Sequence, residues 1–479
     1  MTNNVKSMQT YDVIVIGAGA VGENVADRTV QGGLSTVIVE SDLVGGECSY
    51  WACIPSKALL RPSAALRAAR DVDGARQAVT GTIDREGVFR RRDRLTYDWN
   101  DDSQVRWLDG AGIDLVRGRA RLSGIREVTV TPSDGASVTL RARHAVAVCT
   151  GSTPAVPDIP GLRDAAPWTS REATSSHVVP DSLAIIGGGV VACEMATAYR
   201  ALGSEVTMIV RSALLGGMEP FAQDAVRDAL ARSGVEIRMD AAAAKVRRDA
   251  DGTVTLALGD GGEVRASEVL VATGRSPRID GLGLQALGLP ETWLDVDDTM
   301  LVTGTDWLYG VGDVNHRALL THEGKYQARA AGDAIVARAK GMPVDDASWG
   351  RHVATADHEC VPQAVFTDPE VASVGLTAAA AKATGRSVRV LDVELANLAG
   401  SATYSDRYAG RARAVVDEER GVLVGATFVG HDVAELLQAA TIAIVGEVPL
   451  KRLWHAVPAY PTLDEVWLRW LEAYGRDSA

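Results

Sequence analysis

The sequence is short of cysteine, of long apolar runs and of positive charge. Five cysteines in 479 residues do not make a disulfide scaffold, and an intracellular chain keeps its structural thiols reduced. No segment approaches about twenty consecutive apolar residues, so we expect no membrane-spanning helix. The 49 Lys and Arg residues against 62 Asp and Glu leave a net charge of −13, which provides no basic surface for nucleic acid.

Two further absences narrow the class of protein. No spacing of Cys and His residues is typical of a zinc site, so we expect no bound metal. The polar stretch Met1–Thr10 has no apolar run of the signal-peptide kind, and we therefore expect a cytoplasmic protein. What the sequence does have, 46% apolar and 23% charged residues, predicts a soluble chain of about three domains.

A nucleotide-binding pattern opens the chain. Residues 11–16 read YDVIVI, the apolar and β-branched composition of a buried parallel strand. Glycines and a helical stretch follow, and a second strand, 36–39, ends at Glu40. In this dinucleotide fingerprint the glycines let a pyrophosphate approach a helix N-terminus, and the acid bonds a ribose hydroxyl. The glycines are Gly17, Gly19 and Gly22.

The same pattern returns at 183–210, with Gly187 and Gly189 directly after the strand. Two fingerprints predict either two bound dinucleotides or one such domain inserted into another. The second copy ends in Arg211 instead of an acid. An acid there would repel a 2′-phosphate, whereas an arginine can pair with it, so the sequence favours NADP(H) over NAD(H). An ordinary surface arginine after a strand is the alternative.

Cys48 and Cys53 are the most informative residues of the chain. They lie in the run GGECSYWACIPSK, residues 45–57, shortly after the first fingerprint. Pro55 suits a first helical turn, Lys57 adds a cation, and a thiolate at a helix N-terminus has a lowered pKa. We predict that the two sulfurs cycle between disulfide and dithiol beside a redox cofactor. Two buried structural cysteines are the alternative.

The rest of the chain carries weaker patterns. The interval between the fingerprints predicts helices, and its basic run 90–92, flanked by acids, is interpreted as a solvated helix face. Beyond a linker at 341–343, strand-like runs and an apolar helix at 434–445 predict an α+β C-terminal domain without a fingerprint of its own.

Several motifs together resemble the flavin-dependent pyridine nucleotide–disulfide oxidoreductases, the family of dihydrolipoamide dehydrogenase, glutathione reductase and mercuric reductase. The cysteine segment 45–57 resembles the family's redox-active disulfide motif. Residues 271–277, VATGRSP, resemble the segment that returns the chain to the flavin domain, and 309–313, YGVGD, resemble its second FAD motif. Residues 365–370 with 374–377 resemble the start of the dimerisation domain. The four segments stand in the family's order.

The resemblance implies an α/β fold with two Rossmann-like domains, one for FAD and one for NADP(H), plus a C-terminal α+β dimerisation domain. The implied boundaries are 1–157 and 275–345 for the FAD domain, 158–274 for the NAD(P) domain and 346–479 for the dimerisation domain. A homodimer is implied, in which each active site takes its C-terminal loop from the partner subunit. The implied cofactor contacts are Gly17, Gly19, Gly22, Glu40, Gly46, Lys57, Thr150, Gly151, Gly187, Gly189, Arg211, Gly274, Arg275, Gly312 and Asp313.

The resemblance also implies roles for the catalytic residues. Cys53 would be the thiol that faces the flavin, and Cys48 the interchange thiol that meets the substrate. Lys57 would lie near the flavin N5, paired with Glu194 of the second fingerprint helix, where its charge can stabilise developing negative charge.

The chain departs from the family at a position that matters for catalysis. The family places a His before Pro-Thr and a Glu four residues after that proline; here Tyr460 occupies the His position, and Glu465 remains. A tyrosine, with a reference pKa of about 10, is a poor base at neutral pH. His455, five residues upstream, is interpreted as an ordinary loop histidine; the alternative is that it swings in to replace the missing acid–base group. No cysteine follows Cys360, so the C-terminal cysteine pair that mercuric reductase uses is absent, and mercury reduction by that route is not expected.

Three functions remain open. The first is an NADPH-dependent flavoenzyme that reduces a small disulfide or a thiol-reactive compound through Cys48 and Cys53. The second keeps FAD, NADPH and the dithiol but delivers electrons to a quinone or another diffusible acceptor, which has no thiolate leaving group to protonate. The third is a redox-sensing flavoprotein without turnover. The intact cysteine pair supports the first function, and the loss of the C-terminal His supports the second.

Overall fold

The computed structural model of the chain describes residues 8–476. The expectation of no export signal rests on the stretch Met1–Thr10, most of which lies outside the described residues. The strands are, in chain order, β1 (Gln9–Ile16), β2 (Thr36–Glu40), β3 (Asp114–Arg117), β4 (Arg119–Gly124), β5 (Glu127–Thr131), β6 (Val138–Val148), β7 (Ser152–Pro154), β8 (Ser182–Ile186), β9 (Glu205–Val210), β10 (Glu236–Met239), β11 (Ala243–Arg248), β12 (Val254–Leu258), β13 (Glu263–Ala266), β14 (Glu268–Val271), β15 (Arg275–Pro277), β16 (Leu308–Gly310), β17 (Pro362–Val365), β18 (Glu370–Gly375), β19 (Val388–Glu394), β20 (Arg411–Asp417) and β21 (Val422–Gly430). The α-helices are α1 (Ala20–Gln31), α2 (Gly46–Tyr50), α3 (Cys53–Arg70), α4 (Arg85–Leu95), α5 (Asp102–Gly110), α6 (Ser170–Ser175), α7 (Val190–Ala201), α8 (Pro220–Arg232), α9 (Thr321–Ala339), α10 (Ala378–Ala383), α11 (Ala399–Tyr404), α12 (Leu437–Val445), α13 (Leu450–Leu453) and α14 (Glu465–Tyr474).

The chain divides into two compact units. Over the described residues, the first unit comprises residues 8–55, 93–154 and 275–358. The second unit comprises the remaining described segments, which are 56–92, 155–274 and 359–476.

A largely parallel sheet forms the centre of the first unit. Its strand order is β3-β2-β1-β6-β5-β4, with β16 pairing with β6, and β4 and β5 form an antiparallel extension. In β1, Val13 and Val15 share one apolar cluster with residues of α1 and α9, whereas Ile14 and Ile16 join a cluster on the opposite face. Both faces of β1 are thus buried, which is why its sequence is a continuous apolar run instead of an alternating one.

The second unit contains three sheets. The strands β10-β9-β8-β14 form a parallel sheet, β11-β12-β13 a small antiparallel sheet, and β17-β18-β21-β20-β19 a five-stranded antiparallel sheet. Helix α7 follows β8 and leads to β9, as the second fingerprint predicts. The two strand–glycine–helix–strand units and the C-terminal antiparallel sheet confirm the expected α/β fold class.

The basic run 90–92 is not a uniformly solvated helix face, as the sequence suggested. Arg92 is 0% exposed, and its Nη1 donates hydrogen bonds to the carbonyls of Thr174 and Ser176 at the end of α6. Its guanidinium also lies 4.9 Å from the centre of the Phe89 ring. Because three consecutive helical residues point in three directions, one member of the run faces inward and has its charge solvated by carbonyl oxygens.

A left-handed turn precedes α5. Tyr97, Asp98 and Trp99 have φ angles of 52°, 51° and 55°. The amide of Trp99 donates to the carbonyl of Thr96, and that of Asn100 to the carbonyl of Tyr97, at 2.9 Å each. The left-handed conformation costs roughly 1–2 kcal/mol per non-glycine residue, so this turn is a strained element.

Candidate active site

The glycines of the first fingerprint leave no room for side chains. A Cβ on Gly17 would lie 2.5 Å from the carbonyl oxygen of Cys149, and one on Gly22 would lie 1.8 Å from the oxygen of Gly17. Gly19 is the N-cap of α1 and provides no side-chain hydrogen bond. The first amides of α1 therefore have no side-chain cap, which is the arrangement that receives an anionic group at a helix N-terminus.

Two more predicted cofactor residues lie beside this turn. A Cβ on Gly46, whose φ is +61°, would approach the Cα of Gly19 to 2.8 Å. At the end of β2, the carboxylate of Glu40 accepts hydrogen bonds from the amides of Ala18 at 2.6 Å and Asp42 at 2.8 Å. Backbone amides of the glycine turn and of the residues after β2 thus fix the fingerprint acid next to the glycines.

A polar network surrounds the second predicted FAD motif. Arg275 donates to the hydroxyl of Ser152 at 2.5 Å, and that hydroxyl donates to Asp313 at 2.5 Å. Burial raises the pKa of Asp313 above its ordinary value. Arg275 and Arg278 also bind the two oxygens of Glu47, at 2.7 and 2.8 Å. The residue before Cys48 is therefore held by two arginines.

The residues of the first unit fit a bound dinucleotide. Within the part of the chain that the structure describes, Thr150 Oγ1 and Glu23 Oε1 are buried without a hydrogen-bond partner, as expected where a ligand supplies one. Gly151 has a φ of +73° with open space at its Cβ position, and a Cβ on Gly312 would approach Val21 to 3.0 Å. The glycine cradle suits a pyrophosphate, and Glu40 and Asp313 suit sugar-like hydroxyls.

The two thiols of the predicted redox pair lie together. Cys48 is on α2, Cys53 is the first residue of α3, and the structure has no disulfide between them. Cys53 Sγ lies 3.3 Å from the hydroxyl of Thr321, the first residue of α9. A hydrogen bond to Cys53, followed by burial, raises the pKa of Cys48, and Thr321 and Lys325 oppose this shift. The lowering that a helix N-terminus gives a thiol is therefore outweighed at Cys48.

The second unit brings Lys57 and Glu194 together. Lys57 Nζ lies 2.8 and 3.1 Å from the two carboxylate oxygens of Glu194, which is buried. The amide of Phe366 donates to the same carboxylate at 3.0 Å, and the ammonium lies 4.9 Å from the centre of the Phe366 ring. The lysine is thus fixed by one anion and one aromatic face.

The second fingerprint has the same construction as the first. A Cβ on Gly187 would lie 2.2 Å from the oxygen of Ala272, whereas Gly189, the N-cap of α7, has open space beside it. Gly274 has a φ of +121°, a conformation that disfavours any other residue. Arg211 is exposed directly after β9, and the described part of the chain offers its side chain no partner.

The C-terminal candidates differ in exposure. Tyr460 is 77% exposed, and His455 is exposed as well. Glu465 is buried, accepts a hydrogen bond from the amide of Gly400 at 3.1 Å and lies 3.9 Å from Arg469. Tyr460, His455 and Glu465 belong to the second unit, and Cys48 belongs to the first. That the C-terminal residues of one subunit complete the active site of the other stays a prediction.

Sequence reasoning missed three residues that touch the predicted site. Thr321 contacts Cys53, and Glu47 and Arg278 pair beside Cys48. A helix that begins eight residues after Asp313 was the available signal for Thr321. The Glu47–Arg278 ion pair could not be predicted from sequence spacing, because its two members are 231 residues apart.

Neither a metal-ion cluster nor a membrane-spanning helix occurs within the described residues. Within residues 8–476, no cluster of three or more His, Cys, Asp or Glu residues is arranged to hold a metal ion. Over the same range, every helix falls short of the length and apolarity needed to cross a bilayer.

The sequence matches known families over most of its length. Residues 11–337 match the family described as pyridine nucleotide-disulphide oxidoreductase, and residues 361–470 match the dimerisation domain of that family. The chain therefore belongs to the pyridine nucleotide–disulphide oxidoreductases, enzymes that bind FAD and a pyridine nucleotide and move electrons between nucleotide, flavin and disulfide. This result confirms the predicted family and enzyme class, and its dimerisation domain supports a homodimer.

Individual relatives agree with this assignment. The mercuric reductase of Acidithiobacillus ferrooxidans is 33% identical over 463 residues, which cover 95% of this chain and 81% of that protein. The dihydrolipoyl dehydrogenase of Chlorobaculum tepidum is 32% identical over 462 residues, 95% of each chain. Two solved structures share the fold. The Cu(II) complex of the HOCl-induced flavoprotein disulfide reductase RclA of Escherichia coli has a TM-score of 0.82 and 21% identity, and the match covers 97% of this chain and 99% of that one. LpdA of Mycobacterium tuberculosis has a TM-score of 0.83 and 22% identity, with coverage of 97% and 99%.

Proposed function

We propose that this protein is an NADPH-dependent, FAD-containing reductase that passes electrons through Cys48 and Cys53 to a small disulfide or another thiol-reactive compound. The observation that carries the proposal is the hydrogen-bonded pair of thiols beside Thr321. A dithiol couple of this kind suits a reducing compartment such as the cytoplasm.

The chemistry of the proposed reaction balances. A bound FAD, held by the glycine turn 17–22 and the residues around Asp313, would supply the two-electron link between NADPH and the Cys48–Cys53 disulfide, whose reduction gives the dithiol. The Cys48 thiolate attacks one sulfur of the substrate, forming a mixed disulfide, and the departing thiolate takes up a proton. Cys53 then attacks the sulfur of Cys48, which re-forms the protein disulfide and releases the second product thiol. The net reaction converts NADPH, one proton and a disulfide into NADP⁺ and two thiols.

The remaining site residues have supporting roles in this proposal. Lys57, fixed by Glu194, places a positive charge where negative charge develops during electron transfer. Arg211 pairs with the 2′-phosphate of NADPH, for which its exposed and unpaired position in the described chain is suitable. Tyr460 and Glu465 of one subunit face Cys48 of the other in the homodimer.

Reduction of a quinone or another diffusible acceptor is the second candidate. Two observations favour it: Tyr460 occupies the position of the expected base, and the pKa of Cys48 is raised. A protonated thiol is a weak nucleophile. Reduction of a quinone has no attacking thiolate and no thiolate leaving group that a base or acid would have to serve.

Replacing the interchange thiol separates the two candidates. Wild type, Cys48→Ser and the control Cys360→Ser would be assayed with NADPH against a panel of disulfides and a panel of quinones. We expect the disulfide activity of wild type and Cys360→Ser to be lost in Cys48→Ser. Activity with quinones alone, unchanged in Cys48→Ser, would overturn the first candidate and support the second. Anaerobic NADPH should also produce a long-wavelength thiolate–flavin absorbance band in wild type.

A further inference from the structure

Helix α2, which carries Cys48, depends on contacts with other segments for its position. Helix α2 has five residues, Gly46–Tyr50, and a helix this short is not stable by itself in water. It also follows Gly45 and begins with Gly46, whose φ angles of 109° and 61° disfavour other residues. The position of Cys48 therefore depends on what the ends of α2 contact.

The C-terminal end of α2 is held by the left-handed turn described above. The indole Nε1–H of Trp99 donates to the carbonyl of Tyr50 at 3.1 Å. In return, the hydroxyl of Tyr50, a fully buried residue, donates to the carbonyl of Asn100 at 3.4 Å. A carbonyl at a helix end has no partner within the helix, and here a tryptophan from a distant segment supplies one.

The same segment also reaches the chain just before α2. The carboxylate of Asp101 accepts a hydrogen bond from the amide of Val44 at 2.7 Å and binds Arg117 at 2.5 Å. Residues 97–101 thus hold both the approach to α2 and its end.

The left-handed conformation of the turn is what places the Trp99 indole against the Tyr50 carbonyl. Three consecutive residues without glycine adopt positive φ, a conformation that persists only when the surroundings impose it and that concentrates at functional sites. A right-handed turn over Tyr97–Trp99 would reverse the winding of the backbone that carries the indole, and the bond to the Tyr50 carbonyl would be lost.

We infer that Trp99 is a positioning residue for the Cys48–Cys53 couple, an inference that rests on the function proposed above. The Tyr50 carbonyl lies in the stretch of chain that joins the two cysteines, so its anchoring fixes the peptide between the two sulfurs. Disulfide formation and thiol–disulfide exchange tolerate little variation in this geometry. Release of the carbonyl alters the reactivity of Cys48 and the reduction potential of the couple.

Trp99→Phe tests the inference, because phenylalanine keeps an aromatic ring and removes the N–H donor. The control is Trp107→Phe, at a 45% exposed position on α5. For the reduced holoenzymes we would measure the alkylation rate of Cys48 by iodoacetamide, mapped by peptide mass, and the dithiol–disulfide equilibrium in glutathione buffers. We expect Trp99→Phe to change both by about two- to tenfold, the effect of one hydrogen bond, and Trp107→Phe to match wild type.

A second pair of variants tests the turn at an exposed position, even if Trp99→Phe does not fold. Asp98→Pro excludes positive φ, because proline holds φ at about −65°, whereas Asp98→Gly permits the left-handed turn. We expect the proline variant to reproduce the effect of Trp99→Phe and the glycine variant to match wild type. Wild-type rates and equilibria in both Trp99→Phe and Asp98→Pro, with only the melting temperature lowered, would overturn the inference. A wild-type Cys48 that does not react after reduction would contradict the proposed function itself.

Discussion

In our proposal, the residue at position 460 is the one available to exchange protons with the thiols near neutral pH. Its tyrosine hydroxyl can donate a hydrogen bond but is a poor base, and the pKa of Cys48 is raised by the hydrogen bond to Cys53 and by burial. Cys48 is therefore protonated over a wider pH range than an ordinary thiol. A residue that removes this proton would change the pH at which the enzyme exchanges disulfides.

Tyr460→His should restore such a base. We expect disulfide-dependent kcat/KM of wild type to rise with pH beyond neutrality, and that of Tyr460→His to be about a hundredfold higher at pH 7, the lower end of the range for general acid–base catalysis. Quinone reduction should change little in either protein. The measurement is a pH profile from pH 6 to about 9.5 with both acceptors. Tyr404→His, at another exposed tyrosine, is the control, and identical profiles for all three proteins would contradict the prediction.

At the scale of single elements, Glu323 in the first turn of α9 and Asp357 in a separate turn at 355–357 form a buried pair of acids. The carboxylate of Asp357 accepts a hydrogen bond from Gln327 at 2.7 Å, and Gln327 in turn accepts one from the amide of Gly312 at 2.8 Å. Burial, together with a hydrogen bond to Glu323, raises the pKa of Asp357 to about 7, and burial raises the pKa of Glu323 as well. Gln327 thus connects Asp357 to Gly312 of the predicted second FAD motif.

Asp357→Asn should make stability less dependent on pH. The folded protein keeps a proton on Asp357 that the unfolded chain loses above pH 3.8, so this acid costs stability progressively between that pH and about 7. Asparagine has no such cost and can still accept the bond from Gln327. We expect the melting temperature of the variant, relative to wild type, to be higher at pH 8 than at pH 5. The same difference at both pH values would show that Asp357 does not hold this proton.

The end of β9 sets the choice of coenzyme in our proposal. Arg211→Glu replaces a cation that can pair with a 2′-phosphate by an anion that repels it. We expect the ratio of kcat/KM for NADPH over NADH to fall by at least about tenfold, with Arg232→Glu, at an exposed end of α8, as the control. The two ratios come from initial rates with each coenzyme. An unchanged ratio would remove the argument for NADP(H).

Elements with a strong local signal were predictable from the sequence, and those made by distant contacts were not. β1 and α1 follow from a buried apolar run and glycines that no side chain could replace, and the cysteine motif located the thiols. The sheet β11-β12-β13 was missed because its strands have only six, five and four residues, too few for the alternation of buried and exposed positions to stand out. Thr321, Arg92 and the left-handed turn at 97–99 were missed because their contacts come from segments far away in sequence.

At the scale of the whole molecule, the C-terminal loop should become buried when two subunits associate. Val457 is 85% exposed and lies within the residues that match the dimerisation domain. A large apolar side chain exposed to this degree beside Tyr460 is suited to an interface between subunits.

Val457→Asp should therefore weaken the dimer. A carboxylate placed in an apolar interface loses hydration without gaining a partner, so we expect the dimer dissociation constant to rise by at least about tenfold. Analytical ultracentrifugation of the holoenzyme gives this constant. Val178→Asp, at a 66% exposed position outside the dimerisation domain, is the control. A dimer as tight as that of Val178→Asp would place the interface elsewhere.

The carboxylate of Glu194 holds Lys57 with both oxygens and also accepts the amide of Phe366, at the start of the dimerisation domain. A change in this stretch of the dimerisation domain that moves the Phe366 amide would therefore also move the carboxylate that holds Lys57. If Lys57 acts as we propose, subunit contacts made by this stretch and the charge beside the flavin are adjusted through one side chain.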